Sequence, residues 1–521
     1  MQACANVSAR SRLLAHLPNA MASTTTDSPR HDWQQALYAK PWLGLLLLAC
    51  AHILSRTLIS SGMKWDESEQ ILWAQHLALG YGPQPPLYSW LQWAVCQVLG
   101  PSVLALAVLK HALIALTYCL AWLAGRQLLS DKGAWWVAAG LLLMPPFGWD
   151  SLRDQTHTVM VTAMTMGLWW AVLRQVRRPQ PVNFVLIGLF CGLGMLSKYS
   201  YAMLIGALFI ASMTVAPVRS AIFAKGWWLA PLVGLLLFAP HASWLASHWS
   251  MATTETVQKM SISAEVSRLK GLGNLATALL ATLGLWLISV LLSYRSRLWT
   301  ATQSTPPATR SWAWPLLQRY LLIIAACLLA MVLAADVTDF KQRWMLPLTA
   351  IAPLALYVWR PALLEQNVGR SFTAIVLVFA LVFLAMATLR PWNGGRKNDP
   401  DELNHPVKAL TRELRSAGYD GKGVIVGSDH MIAAMLHSQF PHSYALGCSD
   451  GRQLQQCLAQ AKAPTATALL LITRADKPVP GWWDGVFTQL PKTTIRTLSI
   501  PFEKMPASAT PAQYQYVWIA P

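Results

Sequence analysis

Apolar residues along this chain come in long runs, not in alternation, and the runs set its organisation. The first, from Trp42 to Ser60, is about 20 residues, long enough to cross ~30 Å of hydrocarbon as a helix. Further runs lie at about 102–124, 134–148, 157–174, 183–196, 200–217, 226–247, 274–294, 317–335, 344–359 and 371–389, which makes eleven predicted spans. An odd number puts the two ends of the chain on opposite sides. The stretch from Pro86 to Gly100 is apolar but short and Trp-flanked, and predicts a helix lying at the membrane interface. Residues 1–40 are polar, rich in Ser, Thr and Ala, and lack the apolar core of a signal peptide. They predict a disordered cytoplasmic segment, with Met21 as an alternative start.

After Arg390 the pattern becomes that of a soluble domain. Val407 to Ala417 has helical periodicity stopped by Gly418. Gly423–Gly427, Ala468–Thr473 and Tyr514–Ile519 predict strands, and Met431–Ser438 and Gln453–Lys462 predict helices. The predicted fold is an α-helical polytopic membrane protein of about eleven transmembrane helices over residues 41–390, followed by a soluble α/β domain at 391–521. That domain carries no catalytic motif, and substrate binding or a cap over a membrane site suits it better than chemistry of its own.

Composition agrees: of 521 residues 54% are hydrophobic and only 12% charged, too apolar for a soluble protein of this size. The net charge of +18 is spread over short loops between spans, which argues against nucleic acid as a partner. With the N-terminus inside, the inner loops hold about 17 Lys and Arg and the outer loops about 8, as positive-inside topology requires. The loop after the first span and everything after Arg390 then face the periplasm or exterior of what reads as a bacterial inner (plasma) membrane.

The outer loops carry the candidate chemistry. Asp66, Glu67 and Glu69 put three carboxylates within four residues of an acid-poor chain. If this stretch is helical, Asp66, Glu69, Gln70 and Trp73 share one face. Arg153, Asp154 and His157 follow the third span, Lys198 the fifth, and Asp336, Asp339, Lys341 and Arg343 the ninth. Ionisable groups at a membrane surface cost a few kcal/mol unless they face a polar cavity, so several on one side point to one shared cavity. His52, Arg56, Lys110 and His111 lie inside spans and read as packing or snorkelling residues. There is no HExxH, CxxC or Walker-type loop, and no metal-ligand spacing. Cys448 and Cys457, in an oxidising compartment, are expected to pair as a disulfide.

These residues resemble the GT-C superfamily of membrane glycosyltransferases, in particular the family 39 and 83 enzymes related to protein O-mannosyltransferases and the bacterial lipid A aminoarabinose transferase. Asp66-Glu67 looks like their acidic pair, Pro85-Pro86-Leu87-Tyr88-Ser89-Trp90-Leu91 like the interfacial helix behind it, and Leu196-Ser197-Lys198-Tyr199 like their Leu-Thr/Ser-Lys turn. Residues 151–157 and Arg343-Trp344-Met345-Leu346-Pro347 are similar to further family segments. Gln84 stands where the family usually has His or Lys.

The resemblance implies inverting transfer of a sugar from a polyprenyl-phosphate donor to a lipid, glycan or protein acceptor at the exterior face, with no obligatory cofactor or metal. Asp66 would then be the catalytic base with Glu67 beside it. Lys198, Arg153 and Arg343 would hold the donor phosphate, and Glu69, Gln84, Asp154, His157 and Tyr199 the substrates. A transporter or flippase of a glycolipid is the competing class. It would show internal repeats and helices broken at midplane, whereas the motif charges here gather at one face.

Overall fold

The computed structural model describes residue 38, residues 40–250, 252, 254, 268–295, 297–300, 311–364, 370–397, 399–448, 469–475 and 495–519. The predicted N-terminal segment before Tyr38, the predicted helix Gln453–Lys462 and Cys457 lie outside them. Cys448 is disulfide-bonded.

Helix α1 (Pro41–Ile59) rises from a proline at its first position and exposes Leu46, Leu47, Leu54 and Leu58, as a lipid-facing helix does. It leads into α2 (Trp65–Trp73) and α3 (Leu87–Leu99), which form a short layer at one end of the bundle. The expected interfacial helix is α3. Next come α4 (Val103–Arg126), capped by the Ser102 hydroxyl, and α5 (Asp131–Leu142), capped by Ser130. α6 (His157–Arg177) is the central helix, with 17 of its residues buried. It is followed by α7 (Pro181–Met195), α8 (Tyr201–Thr214), α9 (Ala216–Ile222), α10 (Leu229–Ser247), α11 (Arg268–Tyr294) and α12 (Ala313–Leu333). Two short helices, α13 (Gln342–Thr349) and α14 (Ala352–Trp359), precede α15 (Arg370–Lys397).

Among the described residues seven helices, α1, α4, α6, α10, α11, α12 and α15, are long and apolar enough to cross a membrane. There are eight if α8 and α9, bent by 117°, make one span. The expected count of eleven is not confirmed among the described residues. The other apolar windows exist but are broken. α5 stops at Leu142, and Pro145 and Pro146, which lack backbone donors, turn the chain into a π-helix at Pro146–Asp150. α7 has only 15 residues, and α13 and α14 have eight each.

Past α15 the chain forms α16 (Val407–Ser416), β1 (Gly423–Gly427), α17 (His430–Gln439), β2 (Ser443–Gly447), β3 (Leu469–Arg474), β4 (Arg496–Ile500) and β5 (Ala512–Ile519). The sheet order is β2-β1-β3-β5-β4. β1 is parallel to β2 and β3, with Ile425 opposite Ala445 and Leu470, and β5 is antiparallel to β3 and β4. β2 and β4 were not expected from the sequence.

This layer does not stand apart from the membrane part. Met63, Ile71 and Leu72 around α2 and Val103 and Leu106 of α4 share one core with Val407, Ile425, Met431 and Leu470. Gly62 is required at the seam, since a Cβ there would stand 2.2 Å from the Glu402 carbonyl oxygen. The Gln75 amide donates to the Ala445 carbonyl at 2.8 Å while its oxygen accepts from the Ala445 N–H at 2.8 Å, so a side chain completes the open edge of β2. α2 is thus clamped between membrane helices and sheet.

Candidate active site

The site is built around α2. Its nine residues are too few to hold a helix alone in water, so its position is set by what its side chains reach. Glu67 is 2% exposed and takes Arg56 of α1 on one oxygen at 2.9 Å and Lys110 of α4 on the other at 3.1 Å. It also accepts from the Lys64 backbone N–H at 3.2 Å, capping the helix from within. Burial alone would raise its pKa, but the two cations and their hydrogen bonds together hold the carboxyl well below the usual range.

One residue earlier, Asp66 lines a cavity of about 250 Å³ at the end of the bundle nearest the sheet. Glu69, Gln84, His157, Lys198, Tyr199 and Arg343 line the same cavity, with Trp65, Thr158, Phe340 and Trp344 among its other walls. Six separate chain segments meet there, Leu328 and Met331 of α12 included, and the motif residues of the outer loops supply most of the polar lining. Burial first, and the nearby Asp154 second, push Asp66 up to about 6 against the pull of Arg343, Lys110 and Lys198. The Lys198 ammonium is pushed down to about 8 by burial and then by Arg343, partly offset by Asp66. A carboxylate and an amine with pKa values drawn toward neutrality in one cavity are groups suited to proton and charge chemistry.

The surrounding contacts hold these groups in place. The Leu87 N–H donates to the Leu196 carbonyl at 3.1 Å, tying the start of α3 to the turn that carries Lys198. Lys198 Nζ donates to Thr158 Oγ1 at 3.4 Å. Ser89 Oγ donates to Gln70 Oε1 at 2.9 Å, and Gln70 Nε2 lies 3.3 Å from His157 Nε2. Tyr199 hydrogen-bonds His241 Nε2 at 2.9 Å, whose Nδ1 donates to the Leu79 carbonyl at 2.7 Å. Gln342, next to Arg343, hydrogen-bonds Asp150 of the π-helix.

Three expected site residues are placed differently. Glu67 does not line the cavity, because its carboxylate is consumed by Arg56 and Lys110. Arg153 does not line it either; its guanidinium lies over the Trp149 ring at 5.7 Å. Asp154 stands behind Asp66, its Oδ1 3.4 Å from the Asp66 N–H, and acts on that residue through charge. Asp336 pairs with Arg268 on the surface. Arg56 and Lys110, read from the sequence as packing or snorkelling residues, are the counter-ions of Glu67. The signal available in the sequence was their charge at membrane depth, which demands a partner.

Residues 83–244 match the family described as dolichyl-phosphate-mannose-protein mannosyltransferase. The lipopolysaccharide core galacturonosyltransferase RgtB of Rhizobium johnstonii is 30% identical over 406 residues, covering 76% of this chain and 81% of RgtB. The chain belongs to the GT-C membrane glycosyltransferases. The lipopolysaccharide core galacturonosyltransferase RgtA of the same organism is 29% identical to this GT-C enzyme over 409 residues, 76% of this chain and 80% of RgtA. The fold is shared with ArnT from Cupriavidus metallidurans, solved bound to undecaprenyl phosphate, at a TM-score of 0.59 and 12% identity over 92% of this chain and 98% of ArnT. The region matched by the family spans the part of the GT-C enzyme that supplies Gln84, His157, Lys198 and Tyr199 to the cavity. Among the described residues no group of three or more His, Cys, Asp or Glu is arranged to hold a metal ion.

Proposed function

We propose that the chain transfers a sugar, with inversion, from a polyprenyl-phosphate-linked donor to a lipopolysaccharide acceptor at the periplasmic face of the bacterial inner membrane. In this reading the N-terminus is cytoplasmic, residues 41–390 carry the transfer and residues 391–521 form a periplasmic cover. The observation that carries it is the single cavity holding Asp66 together with Lys198 and Arg343. An acceptor oxygen attacks the anomeric carbon as the bond from that carbon to the donor phosphate breaks. The electron pair passes to the phosphate oxygen, where Lys198 and Arg343 stabilise the growing charge. Asp66 takes the acceptor proton. Glu69, Gln84, His157 and Tyr199 orient the two sugars.

The polyprenyl carrier is supported by the ArnT structure, which holds undecaprenyl phosphate. The relatives named for galacturonosyl transfer to lipopolysaccharide core make a hexuronic acid donor and a core acceptor the pair to test first. Membranes containing the chain, supplied with polyprenyl-phosphate galacturonic acid and core lipopolysaccharide, should yield lipopolysaccharide heavier by one hexuronic acid in mass spectra. Membranes containing Asp66→Asn should not. An unchanged mass with donor present would overturn this choice of sugar and acceptor.

A further inference from the structure

A second cavity, of about 560 Å³, opens between the last turns of α15, the segment 399–405 and the end of β3. It shares a wall with the first. Lys64 lines the second cavity, whereas its neighbours Trp65 and Asp66 line the first. On the sheet side the His430 ring lies 5.0 Å from that of Trp65, and the adjacent Met431 lines the second cavity. A ligand filling this space therefore ends at the turn that positions Asp66.

The chemistry of the lining selects the ligand. Three cations, Lys64, Arg390 and Arg474, face three anions, Asp399, Asp401 and Glu402. The three cations are already engaged: Arg390 pairs with Asp401 and with Glu402 at 3.2 Å, and Lys64 with Glu402 at 3.2 Å. Arg474 lies 3.7 Å from Asp429 and hydrogen-bonds His405 at 2.9 Å. A lining of balanced charge offers little excess attraction to a phosphate or sulfate, and its polarity rejects an acyl chain. It offers dense, fixed donors and acceptors, with the Phe502 ring and Met431 as apolar contacts at its side. Vicinal hydroxyls above an apolar C–H face are the matching surface, and the volume lies in the range of sites for ligands of that size.

The segment 399–405 is held rigidly enough to serve as such a wall. Asn404 Nδ2 donates to the Pro391 and Glu503 carbonyls at 2.9 and 2.8 Å, and its oxygen accepts from the Asp401 N–H at 2.8 Å. We infer that this cavity binds a neutral saccharide portion of the acceptor, leaving the receiving sugar to reach Asp66 over the Lys64–Trp65 turn. The inference rests on the saccharide-acceptor reading above.

The test uses the full chain in nanodiscs, with core oligosaccharide released from lipopolysaccharide by mild acid as the probe. Hydrogen exchange at residues 399–405 should slow several-fold on adding it, and Asp66→Asn should bind it as wild type does. Glu402→Gln combined with Asn393→Ala should weaken binding tenfold or more by calorimetry, with binding of the lipid donor unchanged. Exchange at 399–405 untouched by saturating oligosaccharide overturns the inference, as does equal protection by inorganic phosphate. If lipopolysaccharide still accepts sugar while 399–405 stays unprotected, the saccharide site fails and the transfer reading stands. Protection without transfer to any lipopolysaccharide leaves the saccharide site standing and overturns the transfer reading.

Discussion

Replacing Glu67 with Gln tests what holds α2 in place. The substitution keeps volume and an oxygen to accept from the Lys64 N–H, and removes only the charge. At 2.9 and 3.1 Å, each of its two ion pairs is worth about 5 kcal/mol of attraction at an effective dielectric of about 20. Most of that offsets the desolvation of three buried groups, so the pairs contribute little net stability while intact. Taking away the anion leaves Arg56 and Lys110 buried and unneutralised, and breaking a buried pair in this way costs about 3–5 kcal/mol. Denaturant titration of the detergent-solubilised protein should show that loss. Adding Lys110→Met to Glu67→Gln should recover part of it, because one stranded cation is gone. Transfer should fall because Asp66 loses its fixed position, whereas donor binding, which rests on Lys198 and Arg343, should persist. The depressed pKa fixes the pH sign. Stability from Glu67 is present above the ordinary carboxylate pKa of about 4.3 and is lost as pH falls from there toward the folded value. If Glu67→Gln stays within about 1 kcal/mol of wild type, the ion triad does not hold α2, and Glu67 returns as a candidate for the chemistry itself.

Asp66→Asn keeps shape and removes the base, so single-turnover transfer should drop by about 10²- to 10⁴-fold with donor binding unchanged; near wild-type turnover would remove Asp66 from the base role. Its stability at neutral pH should not fall, since burial disfavours the ionised form it replaces. Lys198→Ala should weaken donor binding and turnover together, and normal values for both would shift the phosphate to Arg343. Gln75→Ala strips the edge of β2 of two hydrogen bonds, and should speed hydrogen exchange at the Ala445 amide by at least tenfold at a cost of about 1–3 kcal/mol; an unchanged rate would mean the sheet edge does not depend on α2.

Much of the cavity was legible in the sequence because its residues sit at loop positions where membrane energetics leaves few reasons for charge. Asp66, Glu69, His157, Lys198 and Arg343 follow from that logic, Gln84 and Tyr199 only from the resemblance to GT-C enzymes, and all seven line one cavity. The pairing of Glu67 with Arg56 and Lys110 was not anticipated because it is long-range: Arg56 is 11 residues from Glu67 and Lys110 is 43. Hydropathy sees such residues one at a time and charges each its full cost. The helix number expected from apolar windows is not confirmed for a related reason, since windows such as 134–148 are apolar throughout but contain Pro145 and Pro146, which end the helix without ending the apolar run. In the sheet, Gly423–Gly427 was found because its Val-Ile-Val run declares itself. Ser443–Gly447 was missed because Ser, Ala and Gly carry little strand preference, and its conformation comes from pairing with β1 on one side and Gln75 on the other.

The division of labour between Asp66 and Glu67 follows from helix geometry and leads to a last prediction. Neighbours on a helix point about 100° apart, and Glu67 is turned to Arg56 and Lys110, whereas the partner of Asp66 on its own face is Glu69, three residues on. The cavity then holds Asp66 and Glu69 against Lys198 and Arg343, formally balanced before any donor arrives. A bound lipid phosphate brings negative charge and draws on the same two cations, and both effects act on Asp66 in one direction. Added negative charge raises its pKa from about 6, and cations engaged by phosphate hold it down less. The donor thus makes Asp66 a stronger base as it brings the leaving group into place. Because the base works ionised, rate should fall as pH drops through its pKa, and the acidic limb of kcat, which reports the donor-bound enzyme, should lie at higher pH than that of kcat/KM. On the alkaline side, kcat/KM for the donor should fall as pH rises through about 8, where free Lys198 loses its proton. Both profiles can be read from stopped assays with purified donor and acceptor between pH 5 and 9. Acidic limbs that coincide would show that the phosphate and Asp66 do not sense each other, and the shared-cavity mechanism would be wrong.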